Sequence, residues 1–305
     1  MKNIPLIILT AAVLACSVVP DAGTPGTTES QYTYTPETWD ISGAQALLDA
    51  GEPVDLGPGT YDLGDETITM AGPAATLRGH GLVKLEHTGS GNAILLQPGS
   101  NGTLSGIEVR GDYSGHGLHI NGSHIRVINV RVAKFGSCVY YDTGQVATIT
   151  GGYIGACDIG IEFNEAKAQN MIKIDSVMFR SNGVHVSIYK SRSVIFVSCN
   201  FEAARGPAIV GGAIGGGRIH SLVFRDCWFE QNNKDHVPAD GRAEVELVSP
   251  APFLIRNVRF EDCYWGHVSP VSPSSGSAAH IRLGQLDVVT TAGGFPVDPT
   301  IMEWQ

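Results

Sequence analysis

A six-residue pattern that recurs through the middle of this 305-residue chain limits its fold more than any other feature of the sequence. The pattern reads apolar, any, small polar, apolar or Cys, any, apolar, and its clearest copies are Ile174–Phe179, Phe196–Phe201 and Phe224–Phe229. Looser copies begin at Leu77, Leu104, Val127, Ile149 and Ile255, the last running to Phe260. A repeat with a long period is typical of a solenoid built from stacked units.

The spacing and the pattern inside each unit predict which solenoid this is. Copies that begin at residues 104, 127, 149, 174 and 196 lie 22 to 25 residues apart, which is too short for helix-pair repeats of about 33 residues or more. Within a unit, apolar and polar residues alternate over short runs such as Ile159–Phe163, which indicates strands. The sequence therefore predicts an all-β parallel β-helix, in which each rung stacks on the last at about 4.8 Å.

The third position of the pattern predicts a sharp corner in every rung. It is occupied by small or polar residues that tolerate left-handed backbone conformations. These residues are Gly106, Asn129, Gly151, Ser176, Ser198, Asp226 and Asn257.

The first rungs resemble a known superfamily. Pro53–Leu63 reads Pro-Val-Asp-Leu-Gly-Pro-Gly-Thr-Tyr-Asp-Leu, and it is followed by Thr67–Met70 and Thr76–Gly81. This order is similar to the opening of the pectate-lyase-like superfamily of right-handed, single-stranded β-helix proteins. The resemblance covers about residues 39–290 and implies the fold. It does not fix the reaction, because lyases, glycoside hydrolases, epimerases and phage tailspikes share this scaffold.

The N-terminus predicts export from the cytosol. A positive start precedes an apolar run from Ile4 to Ala15, which is too short to span a membrane and indicates a signal peptide within residues 1–22. The run ends in Val-Leu-Ala-Cys16, which resembles the bacterial lipoprotein box, so either Cys16 is lipidated or the signal is cleaved conventionally, for example near Ala22. Residues 23–38 form a flexible linker. An extracellular, periplasmic or cell-surface location is expected, with membrane attachment only through Cys16.

Both ends of the solenoid are expected to be covered. Ser42–Ala50 predicts a short capping helix, with Ser42 as its N-cap and Gly51 as its stop. Near the far end, residues 230–242 form an insertion, residues 269–277 a Pro/Ser linker and residues 280–283 a short strand. Residues 291–305 are expected to form a C-terminal tail or cap.

Composition limits the partners. The net charge is −10, so nucleic acid is not an expected partner.

Cys199 and Cys227 hold the same repeat position and are predicted to stack in the core as free thiols. No CxxC pair indicates a zinc site, and no cofactor or metal is expected. Ca²⁺ stays open for this superfamily, although no carboxylate motif supports it. The oligomeric state is left as monomer or homotrimer.

Polar side chains on the strand that follows each repeat copy are the candidate site. Alternation predicts that Tyr140, Glu162 and Ser187 form one outward column, with Cys138, His119 and His185 facing outward beside it. An acid, a phenol and an imidazole a few ångströms apart on a rigid strand face can perform acid/base chemistry. The alternative is that these residues only keep the face soluble.

The resemblance implies that a polysaccharide lies in the groove along this sheet. It implies Glu162 and Asp158 as acid and base or nucleophile, with His185 and Tyr140 positioning sugar or shuttling protons. The predicted substrate contacts are Arg180, His119, Glu202, Arg205 and Trp228. A different outward face, with Arg131, Tyr153, Asn200, Trp228 and Arg259, is the alternative sugar-stacking or subunit surface.

Motifs narrow the function without fixing it. Gly79–Gly81 and Gly115–Gly117 match the Gly-His-Gly element of polygalacturonases. The chain lacks that family's Asn-Thr-Asp motif and its adjacent Asp pair, so no catalytic role is carried over to His80 or His116.

Two hypotheses for the function remain. The first is an exported polysaccharide-active enzyme, a glycoside hydrolase or a polysaccharide lyase. The second is a non-catalytic glycan-binding adhesin or tailspike-like protein.

Overall fold

The computed structural model describes residues 32–167, 169–212, 218–232, 245–248, 255–265, 281–283 and 289–292. The signal peptide, Cys16, most of the 230–242 insertion, the Pro/Ser linker and residues 293–305 lie outside these ranges. The predictions made for them stay predictions.

The described residues form one α-helix, α1 (Ile41–Ala50), a single 3-10 turn at Pro36–Thr38, and twenty-four strands. The strands are β1 (Pro53–Leu56), β2 (Gly59–Gly64), β3 (Ile68–Met70), β4 (Thr76–His87), β5 (Asn92–Leu96), β6 (Thr103–Arg110), β7 (His116–Ile120), β8 (Arg126–Ala133), β9 (Ser137–Tyr141), β10 (Gln145–Gly155), β11 (Ile159–Phe163), β12 (Asn170–Asp175), β13 (Met178–Arg180), β14 (Val184–Ile188), β15 (Val194–Val197), β16 (Asn200–Glu202), β17 (Ile209–Gly212), β18 (Ile219–Arg225), β19 (Trp228–Glu230), β20 (Val245–Val248), β21 (Ile255–Glu261), β22 (Tyr264–Trp265), β23 (Ile281–Leu283) and β24 (Val289–Ala292).

These strands stack as a solenoid with three faces. The nine-stranded sheet has the order β23-β20-β17-β14-β11-β9-β7-β5-β3, and we call it the third face. The other fifteen strands form a sheet that bends at the left-handed corner. Its strands before the corner are the first face, and those after it, such as β13, β16 and β19, are the second face. Neighbouring strands pair in parallel, rung on rung, which confirms the predicted parallel β-helix.

The repeat register is confirmed for its central copies. Ile149 pairs with Ile174, Ile174 with Phe196, and Phe196 with Phe224. The third positions adopt the predicted left-handed backbone, with φ of 51° at Asn129 and 57° at Ser176. The remaining described corners are also left-handed, at Gly106, Gly151, Ser198 and Asp226.

The last repeat copy is not where the sequence pattern placed it. Phe224 pairs with Phe260, so the true copy is Phe260–Trp265, which reads Phe-Glu-Asp-Cys-Tyr-Trp and has its left-handed corner at Asp262. The predicted copy, Ile255–Phe260, belongs to the strand that precedes the corner. The segment Ile255–Phe260 matched the pattern because any strand in which inward apolar residues alternate with outward polar ones meets its less strict form.

Aromatic side chains stack through the interior at the rung spacing. In one column the Phe201 ring lies between those of Phe179 and Phe229, with its centroid 4.8 Å from each of theirs. In a second column the ring centroids of Phe196 and Phe224 are 5.0 Å apart. Offset stacking of this kind adds about 0.5–1.5 kcal/mol per pair beyond the burial itself. Cys199 and Cys227 are buried free thiols, as predicted.

A disulfide between Cys138 and Cys157 was not foreseen, and Cys138 does not face outward as predicted. Their Cα atoms are 5.8 Å apart, and Cys138 is fully buried. The reason is the turn into the third face, where Cys138 and Val139 both point into the core. Strict alternation counted across that turn therefore assigns Cys138 to the wrong side.

The predicted capping helix is present. It begins at Ile41, because Asp40 rather than Ser42 is the N-cap and accepts a hydrogen bond from the Ser42 N–H at 3.1 Å. Gly51 ends it in the left-handed region. Leu48 is buried, and the helix packs against β1 and β3 at the first rung. None of the helices in the described ranges is long and apolar enough to cross a membrane.

Candidate active site

The outer surface of the third face carries most of the candidate residues. Register places His119 opposite Tyr140, Tyr140 opposite Glu162, and Glu162 opposite Ser187. The predicted column of Tyr140, Glu162 and Ser187 is therefore observed, and His119 extends it instead of lying beside it. His116, on the same strand as His119, completes a group that we call the polar strip: His116, His119, Tyr140 and Glu162.

In the polar strip the Tyr140 ring packs against two imidazoles. The His116 ring stacks on Tyr140 with centroids 4.6 Å apart and an interplanar angle of 13°. The His119 ring meets Tyr140 edge-on at 5.1 Å and lies 6.1 Å from His116. The strip thus places three titratable side chains next to one another, and side chains of these types can act as general acids or bases.

Burial fixes the protonation of these rings. It lowers the pKa of His116, against the opposing effect of Glu162, and it lowers the pKa of His119. Burial, Asp142 and Glu162 raise the pKa of Tyr140. At neutral pH the strip therefore holds two neutral imidazoles and a protonated phenol. Among the described residues, neither ring nitrogen of His119 nor Nδ1 of His116 has a hydrogen-bond partner.

The carboxylate of the strip, Glu162, and that of neighbouring Asp142 accept hydrogen bonds from nearby side chains. The Ser137 hydroxyl donates a hydrogen bond to Glu162. Lys167 and Asn164 donate to Asp142, Lys167 at 2.7 Å. Although burial disfavours the charge on Asp142, those two donors lower its pKa. Asp142 is therefore ionised, and Glu162 is oriented by the strand that carries Tyr140.

His185 lies in the core, contrary to the prediction that it faces the groove. It is fully buried beside the stacked rings of Phe179 and Phe201. Asn182 Nδ2 donates to its Nδ1 at 2.9 Å, and its Nε2 then donates to Asn232 Oδ1 at 3.1 Å. Burial lowers the pKa of His185 to about 3. Its position at the turn into β14 matches that of Cys138 at the turn into β9, so the same error in alternation misplaced both.

Other predicted residues lie beside the strip rather than in it. Asp158, in the turn before β11, is exposed and forms an ion pair with Arg205 at 2.9 Å. Arg180 and Glu202 pair at 3.4 Å across β13 and β16 on the second face. Exposed pairs of this kind are weak, and no structural finding assigns them a role with a sugar.

Trp228 belongs to an outward column on the second face. Arg131, Tyr153, Met178, Asn200, Trp228 and Tyr264 follow one another there in register. The Trp228 and Tyr264 rings lie 3.8 Å apart, so they cover each other's faces. Arg259 lies on β21, before the corner, and is not in this column.

His116 was missed because its Gly-His-Gly context was interpreted as a turn. Its signal lies in the burial pattern of the third face, where the first and fourth residues of β7 and β11 point outward. In β7 those positions are His116 and His119. Among the described residues no group of three His, Cys, Asp or Glu side chains is placed to hold a metal ion.

Comparisons with known proteins agree on the fold. Residues 116–264 match the family model of the right handed beta helix region. An alginate lyase from Paenibacillus sp. is similar over 83% of this chain and 92% of its own, with a TM-score of 0.60 and 14% identity. Pectate lyase Pel9A is similar over 87% and 78%, with a TM-score of 0.55 and 14% identity.

A third structure is the enzymatically active domain of bacteriophage CBA120 tailspike protein 2. It is similar over 81% of this chain and 44% of its own, with a TM-score of 0.55 and 11% identity. No curated protein matches this chain. Likeness at these identities shows the fold alone. The chain therefore has the right-handed parallel β-helix fold, and no single member family is indicated.

Proposed function

We propose that this chain is an exported polysaccharide lyase that cleaves its glycan by proton transfer on the polar strip. One observation carries the proposal: a protonated phenol, Tyr140, lies in contact with two neutral imidazoles, His116 and His119. These are the states that a general acid and a general base need before the reaction starts. The similar alginate lyase and pectate lyase structures support a polysaccharide substrate.

The strip supplies both proton transfers of a β-elimination. An imidazole of the strip removes the proton next to the carboxyl group of a uronic acid unit. The electron pair forms the new double bond, and the bond to the glycosidic oxygen breaks. The Tyr140 hydroxyl donates its proton to that oxygen. After the products leave, the imidazole releases its proton to water and the phenolate takes one up from water, which restores the strip.

Elimination fits this site better than hydrolysis. Glycoside hydrolases use two carboxyl groups, one of them protonated in the resting enzyme when it serves as the acid. Asp142 is held ionised by Lys167 and Asn164, whose hydrogen bonds its oxygens already accept, so it is not free to act as the acid of such a pair. The imidazoles and the phenol remain the groups ready for proton transfer.

Export is part of the proposal. The Cys138–Cys157 disulfide favours an oxidising compartment, because such bonds are rare in the cytosol. It supports the interpretation of residues 1–22 as a signal peptide. Lipidation of Cys16 would then attach the protein to the membrane from outside.

The test is cleavage of a panel of uronate-containing and neutral polysaccharides by the purified protein. Lyase products absorb in the ultraviolet through their new double bond, whereas hydrolase products show only new reducing ends. We expect unsaturated products, and we expect Tyr140→Phe to slow their release by about 10²–10⁴-fold. Tyr153→Phe, a hydroxyl deletion on the second face, is the matched control. Full activity of Tyr140→Phe, or reducing ends without unsaturation, would refute the lyase mechanism.

A non-catalytic glycan binder is the second candidate. The observation that favours it is the exposed column on the second face, where Met178, Trp228 and Tyr264 remain about 40% accessible. In that case the panel would show binding without cleavage, and Trp228→Ala would weaken it while Tyr140→Phe would not.

A further inference from the structure

The Gly-His-Gly segment at residues 79–81 builds a second feature of the surface. Arg78 pairs with Ser105 and Val83 pairs with Ile107, so four residues of β4 stand opposite the single corner residue Gly106. The next rung makes its corner with one residue, Gly106, whereas this rung uses four, residues 79–82, which form a short projecting loop. Gly79 and Gly106 meet so closely that a Cβ on Gly79 would lie 2.4 Å from the Gly106 carbonyl oxygen.

An ion pair and a histidine contact, both to Asp55, hold this loop in place. Arg78 donates two hydrogen bonds to Asp55, at 2.7 and 2.8 Å, and His80 Nε2 lies 2.8 Å from the same carboxylate. The His80 ring also lies 5.4 Å from the Tyr32 ring. The loop is therefore anchored on its first-face side, while Leu82 at its end is 90% exposed.

The loop forms one wall of a cavity on the second face. The cavity has a volume of about 450 Å³, within the range of about 300–1,000 Å³ typical of small-ligand sites. Its lining residues are Gly59, Thr60, Gly81, Leu82, Val83, Lys84, Gly106, Ile107, Glu108, Asn129 and Arg131. This set shares no residue with the polar strip.

A polar column crosses the cavity along the solenoid axis. Thr60, Lys84, Glu108 and Arg131 are in register on successive rungs. Lys84 pairs with Glu86, and Arg131 lies 3.7 Å from Glu108, so the local charges balance. An anion would meet Glu108, and a cation would meet Lys84 and Arg131. Hydroxyl groups both donate and accept hydrogen bonds, and they can use either kind of side chain.

We propose that this cavity binds one neutral sugar unit, in a site separate from the polar strip. The sugar hydroxyls would bond to Lys84, Glu108 and Arg131, and its apolar C–H face would cover Leu82. A single exposed leucine is ordinary on a protein surface. Here Leu82 lies at the edge of a cavity, next to a polar column whose charges balance. A pyranose ring likewise has an apolar C–H face and polar hydroxyl groups, so it would match both surfaces. The inference does not depend on the lyase proposal.

The test is saturation-transfer NMR of the whole protein with small sugars. The neutral probes are the methyl glycosides of glucose, galactose and mannose, and the charged probes are glucuronate, galacturonate and glucosamine. We expect at least one neutral probe to bind in a way that Leu82→Ser weakens, and no charged probe to bind in a way that Leu82→Ser weakens. Leu82→Ser should weaken the neutral probe's binding about tenfold, because the ligand loses its apolar contact. Arg131→Gln should weaken it as well.

Two controls separate this site from other surfaces. Ile128→Ser removes a side chain that is 37% exposed on the first face, outside the cavity, and should leave binding unchanged. Tyr140→Phe should also leave it unchanged. The proposal is overturned if no neutral probe binds, or if Leu82→Ser weakens the binding of a charged probe as much as that of the neutral one. It is also overturned if Ile128→Ser weakens neutral-probe binding as much as Leu82→Ser, or if that binding is lost in Tyr140→Phe.

Discussion

The buried imidazole of His185 should make this protein lose stability in mild acid by an amount that can be isolated. Burial lowers the pKa of His185 from an ordinary value of 6.5 to about 3. Above pH 6.5 the ring is neutral in both the folded and the unfolded chain. Below that pH the unfolded chain takes up a proton that the folded protein does not. Stability therefore falls as the pH falls through the window from 6.5 to about 3.

The size of the effect follows from the width of that window. Each pH unit inside it costs about 1.4 kcal/mol of unfolding free energy. Between about pH 7 and pH 5 the contribution of His185 alone is a loss of about 2 kcal/mol. The variant His185→Leu cannot take up this proton. Its stability at neutral pH should be lower by about 2–4 kcal/mol, because Asn182 and Asn232 each lose a buried partner. Its loss of stability on acidification should be smaller by that 2 kcal/mol.

The assay is urea denaturation of both proteins at a series of pH values from about 7 to about 5. His124→Leu, a substitution at an exposed position, is measured alongside as the control for replacing a histidine by leucine. Equal slopes for His185→Leu and the parent would refute the reasoning. A His185→Leu protein that keeps its fold and loses only glycan cleavage would restore the sequence-based assignment of His185 to the active site.

Three further outcomes are expected from the interior and the corners. Replacing both cysteines of the Cys138–Cys157 disulfide by serine should lower the unfolding free energy by about 3 kcal/mol, given their separation of 19 residues; no change in the denaturation midpoint would contradict this. Phe201→Ala should cost about 3–5 kcal/mol by the same assay, since it opens the stack between Phe179 and Phe229, and a cost below that of an exposed substitution would argue against the stack. At the left-handed Ser198, Ser198→Val should be less stable than Ser198→Gly by about 1–2 kcal/mol, whereas equal melting temperatures would mean that the corner does not require a positive φ.

Local sequence was enough for the features that repeat. A strand followed by a residue that tolerates positive φ is a local property, so the corners at Asn129, Ser176 and Ser198 could be read directly. The free thiols Cys199 and Cys227 followed from their shared place in the pattern. Glu162 and Tyr140 were placed correctly because the strands that carry them are in simple register.

Residues at the turn between the second and third faces could not be placed in this way. Two consecutive side chains point inward there, as Cys138 and Val139 do, and this shifts the alternation by one. Because of the same shift, His185 lies in the core although the alternation predicts that it faces outward. Cys138 also faces inward, so its disulfide bond to Cys157 was not predicted. The last repeat copy was placed at Ile255–Phe260 instead of Phe260–Trp265 for a related reason. The register of that rung depends on the pairing of Phe224 with Phe260, and a long insertion separates these residues in the sequence.

The sequence by itself therefore determined a parallel solenoid with left-handed corners and a stacked apolar core, because these depend on the preferences of residues a few positions apart. Only the tertiary structure decided which polar residues meet. His116 and Tyr140 lie on neighbouring rungs, and their contact at 4.6 Å exists only because the rungs pair in one register and turn in one way between faces. A six-residue repeat determines that the chain coils, whereas the turns between its strands decide which side of the coil each side chain faces.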